Sequence, residues 1–210
     1  MLIVGAKGFA KEILEILYKN NETSNLVFYD DVNTKDKKLF NEFPILNSMD
    51  EARHYFKTID QKFSIAVGGS KIRNDLYKKF INIGGTYTST ISDRSDIGSH
   101  DVNIGIGCNI LSGVKISNSV QIETGCIVYY NCIITHDVKI GAFVEISPAA
   151  ILLGRCSIGR FTHIGAGSII LPDITIGENV MVAAGAVVSK NVPDNVMVAG
   201  TPAIVKKRIP

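Results

Sequence analysis

The chain has 210 residues, of which 46% are hydrophobic and 20% charged, and its formal net charge is +2. This length allows one large domain or two small ones, each with its own core. The small net charge argues against a nucleic-acid-binding protein or a protein held on an anionic membrane, and no apolar run approaches the roughly 20 residues of a membrane span.

The N-terminal stretch MLIVGAKGFAKEIL lacks the longer apolar core of a signal peptide. We therefore expect a soluble, cytoplasmic protein.

Short apolar runs alternate with amphipathic segments in the N-terminal part of the chain. The predicted strands are LIVG, LVFYDD and FSIAVGG, and the predicted helices are AKEILEILYKN, SMDEARHYF and KIRNDLYKKFINIG. Ser48 is a plausible cap for the second helix. Alternation of this kind indicates a small parallel sheet of Rossmann type, and we assign residues 1–85 to it.

A loose glycine turn joins the first predicted strand to the first helix. Gly5, Gly8 and Ala10 stand where backbone N–H groups can meet a phosphate. The full dinucleotide-binding spacing is missing, so a purely structural turn is at least as good an interpretation.

Carboxylates and glycines end the next two strands. Asp30 and Asp31 stand where acidic side chains commonly hold a ribose or a base, although a solvated strand end explains them as well. Gly68 and Gly69 end the third strand and would border the same crevice.

After a predicted linker, TYTSTISDRSDIG, a period of six residues begins and dominates the rest of the chain. Fifteen consecutive positions at this spacing, from Ile104 to Val188, are aliphatic. A second series of small or β-branched residues lies two positions earlier, from Val102 to Ala186. Three such units would close a triangular coil, stacking on the next coil at about 4.8 Å. The sequence therefore predicts a β-helix for residues 86–210.

Two further features fit this repeat. Glycine often follows the large aliphatic position, where we expect a tight turn with positive φ; the examples are Gly105, Gly141, Gly159, Gly165 and Gly177.

All four cysteines fall on the small-residue series and should point inward. Cys108 and Cys126 are one coil apart, a separation that permits a disulfide, but a reducing cytoplasm argues against one. No metal-ligand spacing is present.

The segment from about Ile91 to Pro210 resembles the hexapeptide-repeat acyltransferases, whose fold is a left-handed parallel β-helix. With the small α/β domain in front, the whole chain resembles the bacterial sugar acetyltransferases of the bacillosamine, perosamine and sialic acid type. The motifs that carry this resemblance are VGAKGFAKE, FYDD, AVGGSKIR, HDVKIG and AGTPAIVKK.

The resemblance implies a homotrimer that holds acetyl-CoA against the β-helix, between subunits, and a nucleotide-linked amino sugar on the N-terminal domain. It implies that His136 and Asp137 are catalytic. Imidazole titrates near neutral pH and suits a general base, and a neighbouring carboxylate would fix its tautomer. Because adjacent strand residues point opposite ways, this contact would require a turn at the pair.

The other site residues follow from the same resemblance. Glu145, Gly154, Ala166 and Ala184 match positions near acetyl-CoA, with the Gly154 amide facing the thioester oxygen. Lys7, Gly8, Phe9, Asp30, Asp31 and Gly68 match the nucleotide-sugar site. The chain departs from the family at three positions: Phe9 and Glu145 stand where histidine is frequent, and Ala10 where glycine is frequent.

The predicted function is acetyl-CoA-dependent N-acetylation of the 4-amino group of a nucleotide-linked 4-amino-4,6-dideoxy sugar in surface-glycan synthesis, with no metal. Two alternatives remain open: an O-acetyltransferase of sialic acid or a related sugar, and a non-catalytic, trimeric scaffold that binds a nucleotide sugar. The sequence leaves the nucleotide open among UDP, dTDP and GDP.

Overall fold

The computed structural model describes residues 1–209, which fall into two compact units that divide between Thr90 and Ile91. This division lies slightly beyond the boundary drawn from the sequence. No helix within residues 1–209 combines the length and the apolar character needed to cross a membrane.

The first unit is a six-stranded sheet with three helices. Its strands are Leu2–Val4 (β1), Val27–Tyr29 (β2), Lys38–Leu39 (β3), Phe43–Leu46 (β4), Lys62–Ile65 (β5) and Thr86–Tyr87 (β6), and its helices are Gly8–Lys19 (α1), Met49–Thr58 (α2) and Ser70–Asn82 (α3). The strand order is β3-β4-β2-β1-β5-β6, parallel except for the β3–β4 pair. The predicted α/β class is confirmed, and Ser48 caps α2 through a capping box with Glu51.

The order of the strands places a crevice in this sheet. From β1 the chain moves to β2 on one side, and from β5 it moves to β6 on the other. In open parallel sheets, ligands bind outside the carboxyl ends of strands where the direction of winding reverses. The segments that follow β1, β2 and β5 therefore form the expected binding edge of this unit.

The second unit is a parallel β-helix made of two-residue strands on three faces, followed by a closing hairpin. The described strands are Thr90–Ile91 (β7), Asp96–Ile97 (β8), Asn103–Ile104 (β9), Asn109–Ile110 (β10), Lys115–Ile116 (β11), Gln121–Ile122 (β12), Ile127–Val128 (β13), Ile133–Ile134 (β14), Lys139–Ile140 (β15), Glu145–Ile146 (β16), Ile151–Leu152 (β17), Ser157–Ile158 (β18), His163–Ile164 (β19), Ile169–Ile170 (β20), Thr175–Ile176 (β21), Met181–Val182 (β22), Val187–Val188 (β23), Val196–Gly200 (β24) and Ala203–Arg208 (β25).

Consecutive strands go to different faces, and every third strand returns to the same one. We call the three sheets face A (β7, β10, β13, β16, β19, β22, β24, β25), face B (β8, β11, β14, β17, β20, β23) and face C (β9, β12, β15, β18, β21). Pairing partners on neighbouring coils are separated by three of the six-residue units, as in the pairing of Ile134 with Leu152. Both predicted series of apolar residues converge on one core along the prism.

The start of the β-helix differs from the sequence-based prediction of a linker. The predicted linker contains β6, β7 and β8, and the first coil is longer than the others, since Ile97 pairs with Ile116. One extra residue lies between Ile97 and Ile104, so a search at a fixed period of six stops short of β8.

The glycines after the large aliphatic residues have a different reason from the one expected. Gly159 does not have positive φ; a Cβ there would meet the Gly177 carbonyl of the next coil at 2.5 Å, so the residue is small because the coils stack closely. Positive φ falls two positions further on, and often on other residue types, as at Asp137, Phe143 and Arg155.

The cysteines lie where the repeat placed them. All four are fully buried and none forms a disulfide within the described chain. The thiols of Cys126 and Cys132 donate to carbonyl oxygens of the neighbouring coil at 3.1 Å. Burial raises the pKa of Cys132 to about 11, so its thiol is not primed for nucleophilic chemistry.

Candidate active site

His136 and Asp137 lie at the edge of the prism where the chain turns from face B to face C. Asp137 has a φ of 61°, and this left-handed conformation provides the turn that the contact between adjacent residues requires. The imidazole Nδ1 of His136 lies 2.7 Å from Oδ2 of Asp137. Both side chains are about half exposed, at 54% and 53%.

This hydrogen bond selects one tautomer of the histidine. When Nδ1–H donates to the carboxylate, the lone pair on Nε2 is free to accept a proton. Within residues 1–209, Nε2 has no hydrogen-bond partner. The pair thus presents a base to the solvent, with the carboxylate positioned to stabilise the imidazolium that forms.

Gly154 lies one coil beyond His136 and packs directly against its ring. A Cβ at this position would lie 2.6 Å from Cε1 and 2.8 Å from Nε2 of the imidazole. Any larger residue would therefore displace the ring, which explains why this corner needs glycine.

An open groove of about 520 Å³ borders His136 on face B. Its walls include Thr135, Ser117 and Asn118, together with Lys115 and Asp96, whose Nζ and Oδ2 atoms are 3.9 Å apart. The groove gives a small polar ligand access to the imidazole.

The sequence did not single out a second ion pair beside the dyad. Arg155 lies one coil beyond Asp137, and its Nε and Nη2 donate to the two carboxylate oxygens of Asp173 at 2.6 and 2.8 Å. The bond to Arg155 is the main reason that the pKa of Asp173 lies below its ordinary value. Arg155 and Asp173 lie one and two coil lengths after Asp137 in the sequence. Extending the repeat from Asp137 would therefore have identified both residues.

The remaining β-helix candidates do not join this cluster within the chain. Glu145 is part of β16 on face A, and Ala166 and Ala184 lie at the edge where the chain turns from face A to face B. Both alanines are exposed and lie on neighbouring coils, since the Gly185 N–H donates to the Ala166 carbonyl oxygen at 2.8 Å. The structure therefore divides the predicted residues between two edges of the prism and one face.

In the first unit, a cavity of about 460 Å³ lies at the carboxyl ends of β1, β2 and β5. Five of the six residues singled out for the nucleotide sugar line it: Lys7, Phe9, Asp30, Asp31 and Gly68. Gly8 is not among the residues that line it. The Lys7 ammonium pairs with Asp36 at 2.9 Å.

The two aspartates of FYDD have different surroundings. Oδ1 of Asp30 accepts the backbone N–H groups of Val32 and Asn33 at 3.0 and 2.8 Å, so this carboxylate mainly holds its own loop. Oδ2 of Asp31 accepts from the Tyr29 hydroxyl at 2.9 Å and from Lys79 at 3.2 Å. Burial opposes ionisation of Asp31, but these bonds outweigh it and its pKa lies below the ordinary value. Asp30 is buried, whereas the Asp31 side chain is 43% exposed, so Asp31 is the carboxylate more accessible to a ligand.

Comparison with known families finds a match for each unit. Residues 1–80 match the family described as the PglD N-terminal domain, and residues 155–190 match the bacterial transferase hexapeptide family of six repeats. The comparison with curated protein sequences gave no match.

Solved structures resemble nearly the whole chain. PerB from Caulobacter crescentus, in complex with CoA and GDP-perosamine, is 26% identical with a TM-score of 0.91, over 98% of this chain and 96% of its own. The acetyltransferase domain of PglB from Neisseria gonorrhoeae is 26% identical with a TM-score of 0.88, over 98% of both chains. WeeI from Acinetobacter baumannii is 27% identical with a TM-score of 0.89, over 98% of both chains.

Proposed function

We propose that this chain, a left-handed β-helix protein of the hexapeptide-repeat sugar acetyltransferases, transfers the acetyl group of acetyl-CoA to the amino group of a nucleotide-linked sugar. The observation that carries the proposal is the His136–Asp137 hydrogen bond beside Gly154 at an open edge of the prism. This pair supplies a general base. The similar proteins PerB and PglB are described in complex with CoA and GDP-perosamine, and with acetyl coenzyme A, respectively.

The chemistry assigned to the pair is proton removal during acyl transfer. As the sugar amine attacks the thioester carbonyl, a C–N bond forms, and Nε2 of His136 takes the proton that the nitrogen loses. The C–S bond then breaks, and the proton passes to the departing CoA thiolate. Asp137 stabilises the imidazolium, and the Gly154 N–H is the candidate donor to the oxygen that becomes negative.

The cavity of the first unit is the proposed site for the nucleotide end of the acceptor. It lies at the strand ends where such ligands bind in open parallel sheets, and it offers the Asp31 carboxylate and the α1 N-terminus. We propose the 4-amino-4,6-dideoxy class of sugar, since GDP-perosamine occupies PerB.

The active protein is proposed to be a homotrimer with acetyl-CoA between subunits. His136 and Gly154 lie on one edge of the prism, while Ala166 and Ala184 lie on another, so one CoA molecule would meet both sets by bridging two copies. An apolar row on face B supports such packing: Ile133, Ile151, Ile169 and Val187 point outward, with Ile133 exposed by 37% and the other three partly exposed. We place the reaction in the cytoplasm, where acetyl-CoA is available.

The test is release of free CoA thiol from acetyl-CoA with a panel of UDP-, dTDP- and GDP-linked amino sugars, with products identified by mass spectrometry. We expect one amino sugar to give an amide that resists hydroxylamine. A product cleaved by hydroxylamine would instead be an ester and would favour O-acetylation. Tight binding of a nucleotide sugar without thiol release would favour the non-catalytic scaffold.

A further inference from the structure

Three charged residues form a column along the edge that carries His136. Asp137, Arg155 and Asp173 are each separated by one coil length and share the left-handed conformation, with φ values of 61°, 63° and 63°. Equal spacing and equal backbone conformation place them on successive coils at the same corner. The column therefore alternates negative, positive and negative charge.

Backbone bonds tie this column to the residues of the candidate site. The Arg155 N–H donates to the His136 carbonyl oxygen at 3.1 Å, and the Asp173 N–H donates to the Gly154 carbonyl oxygen at 3.0 Å. The side chains are coupled as well. Asp173 raises the pKa of Arg155, with a smaller contribution from Asp137, and after Arg155 the charge of His136 also helps to hold the pKa of Asp173 down.

Arg155 is a potential competitor for the carboxylate that orients the histidine. A guanidinium binds a carboxylate more strongly than a neutral imidazole does, especially through two parallel hydrogen bonds. Here both of those bonds go to Asp173, at 2.6 and 2.8 Å. The Asp137 carboxylate therefore bonds to the His136 ring and not to Arg155.

We propose that Asp173 and Arg155 are a positioning pair for the proposed reaction, in which Asp173 holds Arg155 away from Asp137 and so keeps the carboxylate on the His136 ring. This proposal rests on the proposed function only in its expected effect on kcat. The orientation and titration of His136 can be measured without any acceptor sugar.

Removing Asp173 alone should harm the dyad. In Asp173→Asn, Arg155 loses its bidentate partner and turns to Asp137, while its charge next to the imidazole is no longer balanced. We expect kcat to fall about 3- to 30-fold with both KM values within about threefold, because misorientation acts on the reacting geometry. We also expect the acidic limb of the kcat/KM profile to move to lower pH by on the order of half a unit.

Removing both charges should restore the dyad. In Arg155→Met/Asp173→Asn the competitor is gone and the local charge is balanced again, so kcat should return to within about twofold of its starting value and the pH profile to within about 0.2 unit. The other charges near the ring, Asp137 and the Lys115–Asp96 pair of the groove, are unchanged in both variants. A pair that only stabilised the coil would give a double variant at least as damaged as the single one.

The matched control is Glu178→Gln. Glu178 accepts from Arg160 at 2.9 Å, likewise across one coil and similarly exposed, but at the turn from face C to face A. It should leave kcat and the pH profile unchanged.

The deciding experiment combines these rates with an NMR titration of the His136 imidazole in the full-length protein and in the three variants. The expected result is a lower titration midpoint in Asp173→Asn, recovery in the double variant and no change in Glu178→Gln. An unchanged midpoint in Asp173→Asn, or no recovery in the double variant, would overturn the proposal. If the titration behaves as expected but no amino sugar is acetylated, the proposed function fails and the positioning pair stands.

Discussion

At the scale of single residues, the site depends on how the corners of the coil orient side chains. The sequence predicted that His136 leaves the core and that a turn would be needed for it to meet Asp137. The turn exists because Asp137 takes a left-handed conformation, which aspartate adopts more readily than most residues. The ion pair of Arg155 and Asp173 escaped prediction, because exposed side chains on different coils have no periodic apolar signal. Only the coil length, applied to polar residues, reveals it.

We expect His136→Ala to lower kcat by roughly 10²–10⁴, the usual contribution of a positioned proton transfer. Affinity for acetyl-CoA and for the nucleotide sugar should change less than severalfold, because the imidazole acts mainly in the transition state. Asp137→Asn should cost less, since it leaves the base in place. Steady-state rates beside binding by calorimetry measure both effects. Near-normal turnover of His136→Ala would mean that the base lies elsewhere.

At the scale of elements, the period of six predicted fifteen strands of the β-helix, β9 to β23, because core packing fixes that spacing directly. It failed where packing tolerates an exception, in the longer first coil, whose extra residue lies at the exposed turn around Ser99 and Asp101. The predicted reason for the repeat glycines was also wrong. The sequence shows that a small residue stands at a position, but it does not show whether the backbone dihedral angle or close packing of the next coil requires that residue to be small.

The two kinds of glycine predict different losses of stability on substitution. Gly159→Ala should destabilise the protein by about 1–3 kcal/mol, because the new Cβ would meet backbone atoms of the next coil at 2.5 Å and these cannot move aside. Gly167 has a φ of 62° with nothing within 4 Å of an added Cβ. Asparagine occupies the equivalent position of the repeat with positive φ at Asn131, on the same edge, and at Asn179, on another edge. Gly167→Asn should therefore change stability by less than about 0.5 kcal/mol.

Thermal unfolding of the two variants provides the comparison. For a chain of this size, the expected loss in Gly159→Ala corresponds to a drop in Tm of about 2–12 °C. Equal melting temperatures for both variants would contradict the assignment of Gly159 to coil stacking.

At the scale of the whole molecule, the two units carry different parts of the proposed site. The sequence separated them because alternating helices and strands give way to a fixed period. It could not show that the residues proposed to contact CoA lie on different edges, since that depends on which face each strand joins. In the structure, Phe9 and Asp31 line one cavity because the strand order brings the ends of β1 and β2 together.

We expect a fragment that begins at Ser89 to keep the oligomeric state and CoA affinity of the full chain and to lose affinity for the nucleotide sugar. The β-helix has its own continuous core, whereas the cavity lined by Lys7 and Asp31 lies in the other unit. Sedimentation and calorimetry on the fragment and the full chain test this. A monomeric fragment, or one that binds the nucleotide sugar normally, would contradict it.

The closing hairpin of β24 and β25 has a consequence for solubility in a crowded cell. A stack of parallel coils ends in unpaired backbone groups, onto which another molecule could add its own coils and begin a fibre. Here β24, the last parallel strand of face A, pairs with the antiparallel β25, which contains Lys206, Lys207 and Arg208, all exposed. A second copy that approached this end would meet the same three positive charges, so growth of one prism upon another is opposed where the repeat stops.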